Sequence, residues 1–170
     1  MLLTESERAK EVRSLILDIV ITIINQRAGG GTKFINRRDA NYLPAAIAEE
    51  NYRKTLTSAI GQCVSGHYTY KYAQVTDLIY KAVFRENAKE YRDILRLNTN
   101  DNVRHTLYAE VLLVVSSFEN GVGVAIREQY EKNGQQPLSI ADVETLVNSM
   151  AEHPMQKPYI TDARTKMASR

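Results

Sequence analysis

Apolar residues recur along most of the chain at the spacing of one helical face. In the first segment they fall at Val12, Leu15, Ile16, Ile19, Val20, Ile23 and Ile24. This i, i+3, i+4, i+7 pattern turns one stripe of a helix inward. Leu17 and Ile21 widen the stripe, which predicts burial on more than one side. Thr4-Glu5-Ser6-Glu7 precedes it in capping-box form: the Thr4 hydroxyl can accept the Glu7 N–H while Glu7 reaches back to Thr4. Gly29-Gly30-Gly31 should end the helix, because glycine adopts positive φ freely and holds a helix poorly.

The same period predicts the later helices. Pro44 suits a first turn, with Asp39 and Asn41 as candidate caps, and the pattern Ala45, Ile47, Tyr52, Leu56, Ala59, Ile60 and Cys63 runs to Ser65-Gly66. A break near Glu50-Asn51 is left open. A third helix is expected over Tyr72 to Arg85 and a fourth over Glu86 to Leu97. Asp101 then caps a long helix that reaches Asn133. Gly121 and Gly123 interrupt it, each at about 1 kcal/mol against Ala, and so allow a close helix crossing or mark a bend. Ser139-Ile140-Ala141-Asp142 forms a second capping box, His153-Pro154 ends its helix, and Pro158 starts a last basic helix over Tyr159 to Ser169.

No segment alternates with period 2, and no repeat recurs at 20–50 residues. The expected fold is all-α: a single compact bundle of six to seven helices spanning residues 1–170. Its core is expected between the first helix and the Asp101–Asn133 helix. The chain opens on a capping box and closes on a helical pattern without a stop signal, so it reads as a fragment of a longer protein.

Composition narrows the class. The chain has 170 residues, 44% hydrophobic and 25% charged, with only 8 Gly and 4 Pro, which excludes a disordered or collagen-like chain. A single cysteine, Cys63, excludes an internal disulfide framework and a multi-cysteine metal site. Leu15–Ile24 is the longest apolar run; it contains Asp18 and falls short of the roughly 20 residues that span a bilayer. With no signal-peptide pattern, a cytoplasmic location and no membrane partner are expected.

Charge matters locally rather than in total. The net charge of +2 does not by itself imply a nucleic-acid partner, but Arg27, Lys33, Arg37 and Arg38 cluster around the glycine run with no acid before Asp39. Exposed backbone N–H groups beside Lys and Arg suit phosphate. Lys33, Arg37 and Arg38 are therefore the candidate contacts to a nucleic-acid backbone. The competing reading is a solvated loop whose arginines pair with Asp39, Glu49 or Glu50. The Walker A pattern is absent.

Other constellations are weaker. His67-Tyr68-Thr69-Tyr70-Lys71-Tyr72 interleaves aromatics with a base, as a stacking surface, an interface or the rim of a helical core does. His67, His105 and His153 are too far apart for a local metal box. Cys63 falls on the inward period of its helix, and Ser116 and Ser117 lack a nucleophile elbow. Asp18 and Glu110, in apolar surroundings, read equally as buried acids or as helix edges. No catalytic residue, metal or cofactor is assigned.

Leu3-Thr4-Glu5-Ser6-Glu7-Arg8-Ala9, Gly30-Gly31-Thr32-Lys33-Phe34-Ile35-Asn36 and Asp162-Ala163-Arg164-Thr165-Lys166-Met167-Ala168-Ser169-Arg170 together resemble a helical region of bacterial phage-derived DNA-binding proteins of the KilA-N/ORF6N or RhuM-like kind. The resemblance implies an accessory module attached to a DNA-reading part, and it carries no site residues. The leading expectation is a non-enzymatic nucleic-acid-associated or regulatory module with DNA as partner. The alternative is a helical oligomerisation or protein-partner-binding domain, through Gly121 and Gly123 or the Tyr68–Tyr72 segment. An enzyme acting on a phosphorylated substrate through Gly29–Thr32 and an acid such as Asp18 ranks last.

Overall fold

The computed structural model describes residues 42–98 and 101–168, together with Val12 and Ile16. The chain divides into two compact units, Met1–Phe34 and Ile35–Arg170. In the first, Val12 and Ile16 are helical, and both are exposed rather than inward as their spacing predicts. The rest of the first helix, its Thr4–Glu7 cap, Asp18, Gly29–Gly31, Asp39 and Asn41 lie outside the described residues.

The second unit is all-α. Six helices follow in order: α1 (Tyr42–Cys63), α2 (Tyr70–Phe84), α3 (Ala88–Leu95), α4 (Ala109–Lys132), α5 (Ile140–Glu152) and α6 (Lys157–Ala168). A 3-10 turn, Val103–Thr106, stands between α3 and α4. The largest helix pairing among the described residues is α1 with α4. Leu56, Ala59 and Ile60 of α1 and Val115, Phe118, Val122 and Ile126 of α4 are all buried in the core. The predicted share of the long helix in the core thus holds, with α1 as its main described neighbour.

Gly123 is what brings these two helices so close. A Cβ built there would stand 3.0 Å from the Leu56 Cα and 3.1 Å from its N, inside the backbone of α1. Of the two roles that the glycine pair allows, Gly123 serves the close crossing. Gly121 differs, since its added Cβ would meet only the mobile Met150 Cε at 3.2 Å.

Helix limits follow local chemistry. α1 runs unbroken through Glu50-Asn51. α3 is opened by an Asn87 capping box: the Asn87 side chain accepts from the Lys89 and Glu90 N–H groups, and Glu90 accepts from the Asn87 N–H at 2.7 Å. The predicted Ser139–Asp142 box is present, with the Ser139 N–H donating to Asp142 at 2.8 Å and the Asp142 N–H to Ser139 Oγ at 3.2 Å.

The expected Asp101–Asn133 helix is shorter than predicted. Asp101 does not cap it; its carboxylate accepts the Asn98 N–H instead. Asn102 caps the 3-10 turn, the buried Thr106 hydroxyl donates to the Val103 carbonyl, and Leu107 and Tyr108 are extended before α4 begins. Short polar side chains compete for backbone groups here and hold the chain out of the α conformation. By length and composition α4 is, among the described residues, the one helix apolar enough to cross a membrane. Its apolar face packs inside the bundle.

Candidate functional site

Two buried or half-buried cations close the ends of helices to which they do not belong. Lys71, at the start of α2, donates from Nζ to the Gly61 carbonyl at 3.0 Å and the Val64 carbonyl at 2.8 Å, at the end of α1. Arg164 of α6 donates from Nε to the Val83 carbonyl at 2.6 Å and from Nη2 to the Ala82 carbonyl at 2.5 Å, at the end of α2. The last carbonyls of a helix lack internal partners and carry the negative end of its dipole, so a cation satisfies both demands.

Arg164 also borders a cavity of the described unit. This groove of about 650 Å³ lies where the end of α2, α3 and α6 meet, and Phe84, Tyr91, Ile94, Leu95 and Met167 form its apolar lining. Ile94 is 64% exposed although it projects from a helix with an otherwise polar outer surface. Phe84 and Tyr91 form its buried wall, their rings 5.5 Å apart. A volume of this size is typical of ligand pockets.

Arg85, Lys157 and Arg164 line the groove alongside Glu86 and Glu152. Lys157 is already paired with Glu152 at 2.6 Å. Arg85 caps α2 in the left-handed conformation, φ 70°, and makes no ion pair among the described residues. Burial, and then the adjacent Arg85, push the Arg164 pKa down. Arg85 and Arg164 thus line an apolar groove together, with Glu86 as the lining acid that makes no ion pair among the described residues.

A second polar assembly is largely buried in the bundle. Arg104 donates from Nη2 to Glu119 of α4 at 2.6 Å and from Nη1 to Glu49 of α1. Burial pushes the Glu119 carboxyl up, and Arg104 only partly offsets this. Burial also works against the charge on Arg104, but Glu119, Tyr80 and Glu49 outweigh it and keep the guanidinium protonated. Glu119 is thus the member of the pair that titrates. Its Oε2 has no hydrogen-bond partner among the described residues. The assembly ties the 3-10 turn to α1 and α4.

The predicted phosphate contacts Lys33, Arg37 and Arg38 lie outside the described residues. Glu49, offered as a partner for those arginines, is engaged by Arg104. Cys63 is buried, as its helical period predicts, and burial raises its thiol pKa. Glu110 is a helix edge, exposed and paired with Lys166 at 2.8 Å. In the tyrosine group, Tyr68 and Tyr70 are exposed, whereas Tyr80 and Tyr91 are core residues. No cluster of three or more His, Cys, Asp or Glu suited to a metal occurs among the described residues.

Sequence reasoning named Lys71 only as the base among the tyrosines, and found neither its capping role, nor the Arg104 ion pairs, nor the groove. The partners of Arg104 and Lys71 lie 7 to 55 residues away along the chain, on other elements. No protein-family model, curated protein or solved structure matches the chain.

Proposed function

We propose that this chain is a partner-binding helical module whose docking surface is the groove between α3 and α6. The supporting observation is the groove itself: an open, mainly apolar trough of about 650 Å³ whose lining includes the exposed Ile94 and two arginines. Trough-like apolar surfaces between helices receive the apolar face of a third helix. The polar assembly at Arg104 is largely buried and suits holding the helices in register better than meeting a substrate.

The test is a selection of helical peptides against the full chain, followed by Ile94→Asp. Selected peptides should bind the parent chain and lose binding to the variant. Peptides that bind both equally, or no selectable binder, overturn this reading.

A second reading rests on a different feature, the Arg27–Arg38 basic run with its glycines. Lys33, Arg37 and Arg38 would contact a DNA or RNA backbone, in line with the resemblance to phage-derived DNA-binding proteins. Binding would then weaken steeply with salt, with a log–log slope of about −0.9 per phosphate neutralised on duplex DNA. Charge reversal at Arg37 and Arg38 would abolish it. Salt-independent binding, or none at low salt, overturns this second reading.

A further inference from the structure

We infer that the groove takes an amphipathic helical segment of a partner protein that carries a carboxylate beside its apolar face. This inference rests on the partner-binding reading and adds the chemistry of the occupant. Phe84, Tyr91, Ile94, Leu95 and Met167 offer apolar and aromatic surface, with Met and aromatic side chains adapting to varied shapes. Flanking α3 is eight residues, about 12 Å long, which matches two turns of a docked helix.

Charge selects the ligand's flank. Cations outnumber carboxylates in the lining, and the Lys157–Glu152 pair is already internally matched. Arg164 is immobilised by the Ala82 and Val83 carbonyls, which use Nε and Nη2 and leave Nη1 for another acceptor. Arg85 stands beside it with no ion pair among the described residues. Arg85 and Arg164 both line the groove, and the held Arg164 offers a guanidinium that a carboxylate can pair with, with Arg85 adding positive charge. A basic flank has only Glu86 to meet, against the two arginines, because Glu152 is taken by Lys157.

The test uses three labelled helical peptides with one common apolar face and acidic, neutral or basic flanks, titrated into the full chain by fluorescence anisotropy. The acidic peptide should bind about tenfold tighter than the neutral one at low salt, the effect of one charge-assisted pair. Arg85→Asn should remove most of that preference, read as the ratio of acidic to neutral peptide affinity measured on the same variant. Asn tolerates the left-handed conformation, and circular dichroism checks that the variant folds.

Equal binding of all three peptides, still lost in Ile94→Asp, overturns the charge inference and leaves the groove reading standing. Absence of any Ile94-dependent binding overturns both. A chain that light scattering shows as a dimer dispersed by Ile94→Asp places a second copy in the groove and overturns the partner-segment assignment.

Discussion

Arg104 and Glu119 meet at 2.6 Å with only 6% and 1% of their surfaces exposed, fifteen positions apart on two different elements. Such a pair gives up hydration on both sides, and its removal from one side is worse than its removal from both. Arg104→Met leaves Glu119 and Glu49 without their cation and should cost about 3–5 kcal/mol at neutral pH. Glu119 already has its carboxyl pKa raised by burial, and losing Arg104 raises it further. A raised acid contributes stability below its unfolded value and loses it as pH rises through the folded value. The deficit of Arg104→Met should therefore shrink as pH falls from 8 towards 5, and Glu119→Leu added to it should restore part of the loss. Urea unfolding at the two pH values checks this; a deficit that grows on acidification contradicts it.

The two glycines of α4 should respond in opposite directions. Gly121→Ala gains helix propensity of up to about 1 kcal/mol, because its Cβ meets only the movable end of Met150. Gly123→Ala pushes on the α1 backbone at Leu56, which cannot retreat without separating the helices, and should destabilise by about 1–3 kcal/mol. Thermal melts of the two single variants decide it, and equal shifts would refute the close-crossing account.

Tyr80 should ionise late. Burial raises its hydroxyl from the ordinary 10.0 to about 12, with Arg104 opposing and Glu119 assisting the rise. The unfolded chain releases this proton first as pH rises, so stability present below pH 10 is lost between about 10 and 12, by at most about 3 kcal/mol. In a titration of tyrosinate absorbance, Tyr80→Phe should remove a late component and flatten the alkaline loss of stability.

Lys71→Met should cost about 1–3 kcal/mol, since the Gly61 and Val64 carbonyls lose a charged donor that water reaches poorly. Chemical unfolding measures the loss, and amide exchange in the last turn of α1 should accelerate with it. Unchanged exchange there would show that the cap is not what holds this helix end.

Much of the helical plan was legible because its causes are local. The Ser139–Asp142 box joins residues three apart, the end of α5 lies at His153-Pro154, and the inward place of Cys63 follows from 3.6-residue spacing. Asn87 to Glu90 carried the same kind of signal and was overlooked in favour of a helix starting at Glu86. The long helix was drawn too far back because Val103 and Leu107 continue the apolar period. Both are buried, yet through a 3-10 turn and an extended step rather than an α-helix.

Periodicity, caps and breakers were enough to establish an all-α chain and most helix limits, since each depends on residues within a turn or two of one another. Which helices touch, where α1 and α4 pass backbone to backbone at Gly123, and why Arg104, Lys71 and Arg164 point inward depended on groups far apart in the chain meeting at short range. A buried charge or an orphan carbonyl acquires its partner only once packing has excluded water, so the residue that answers it cannot be read from its neighbours in sequence.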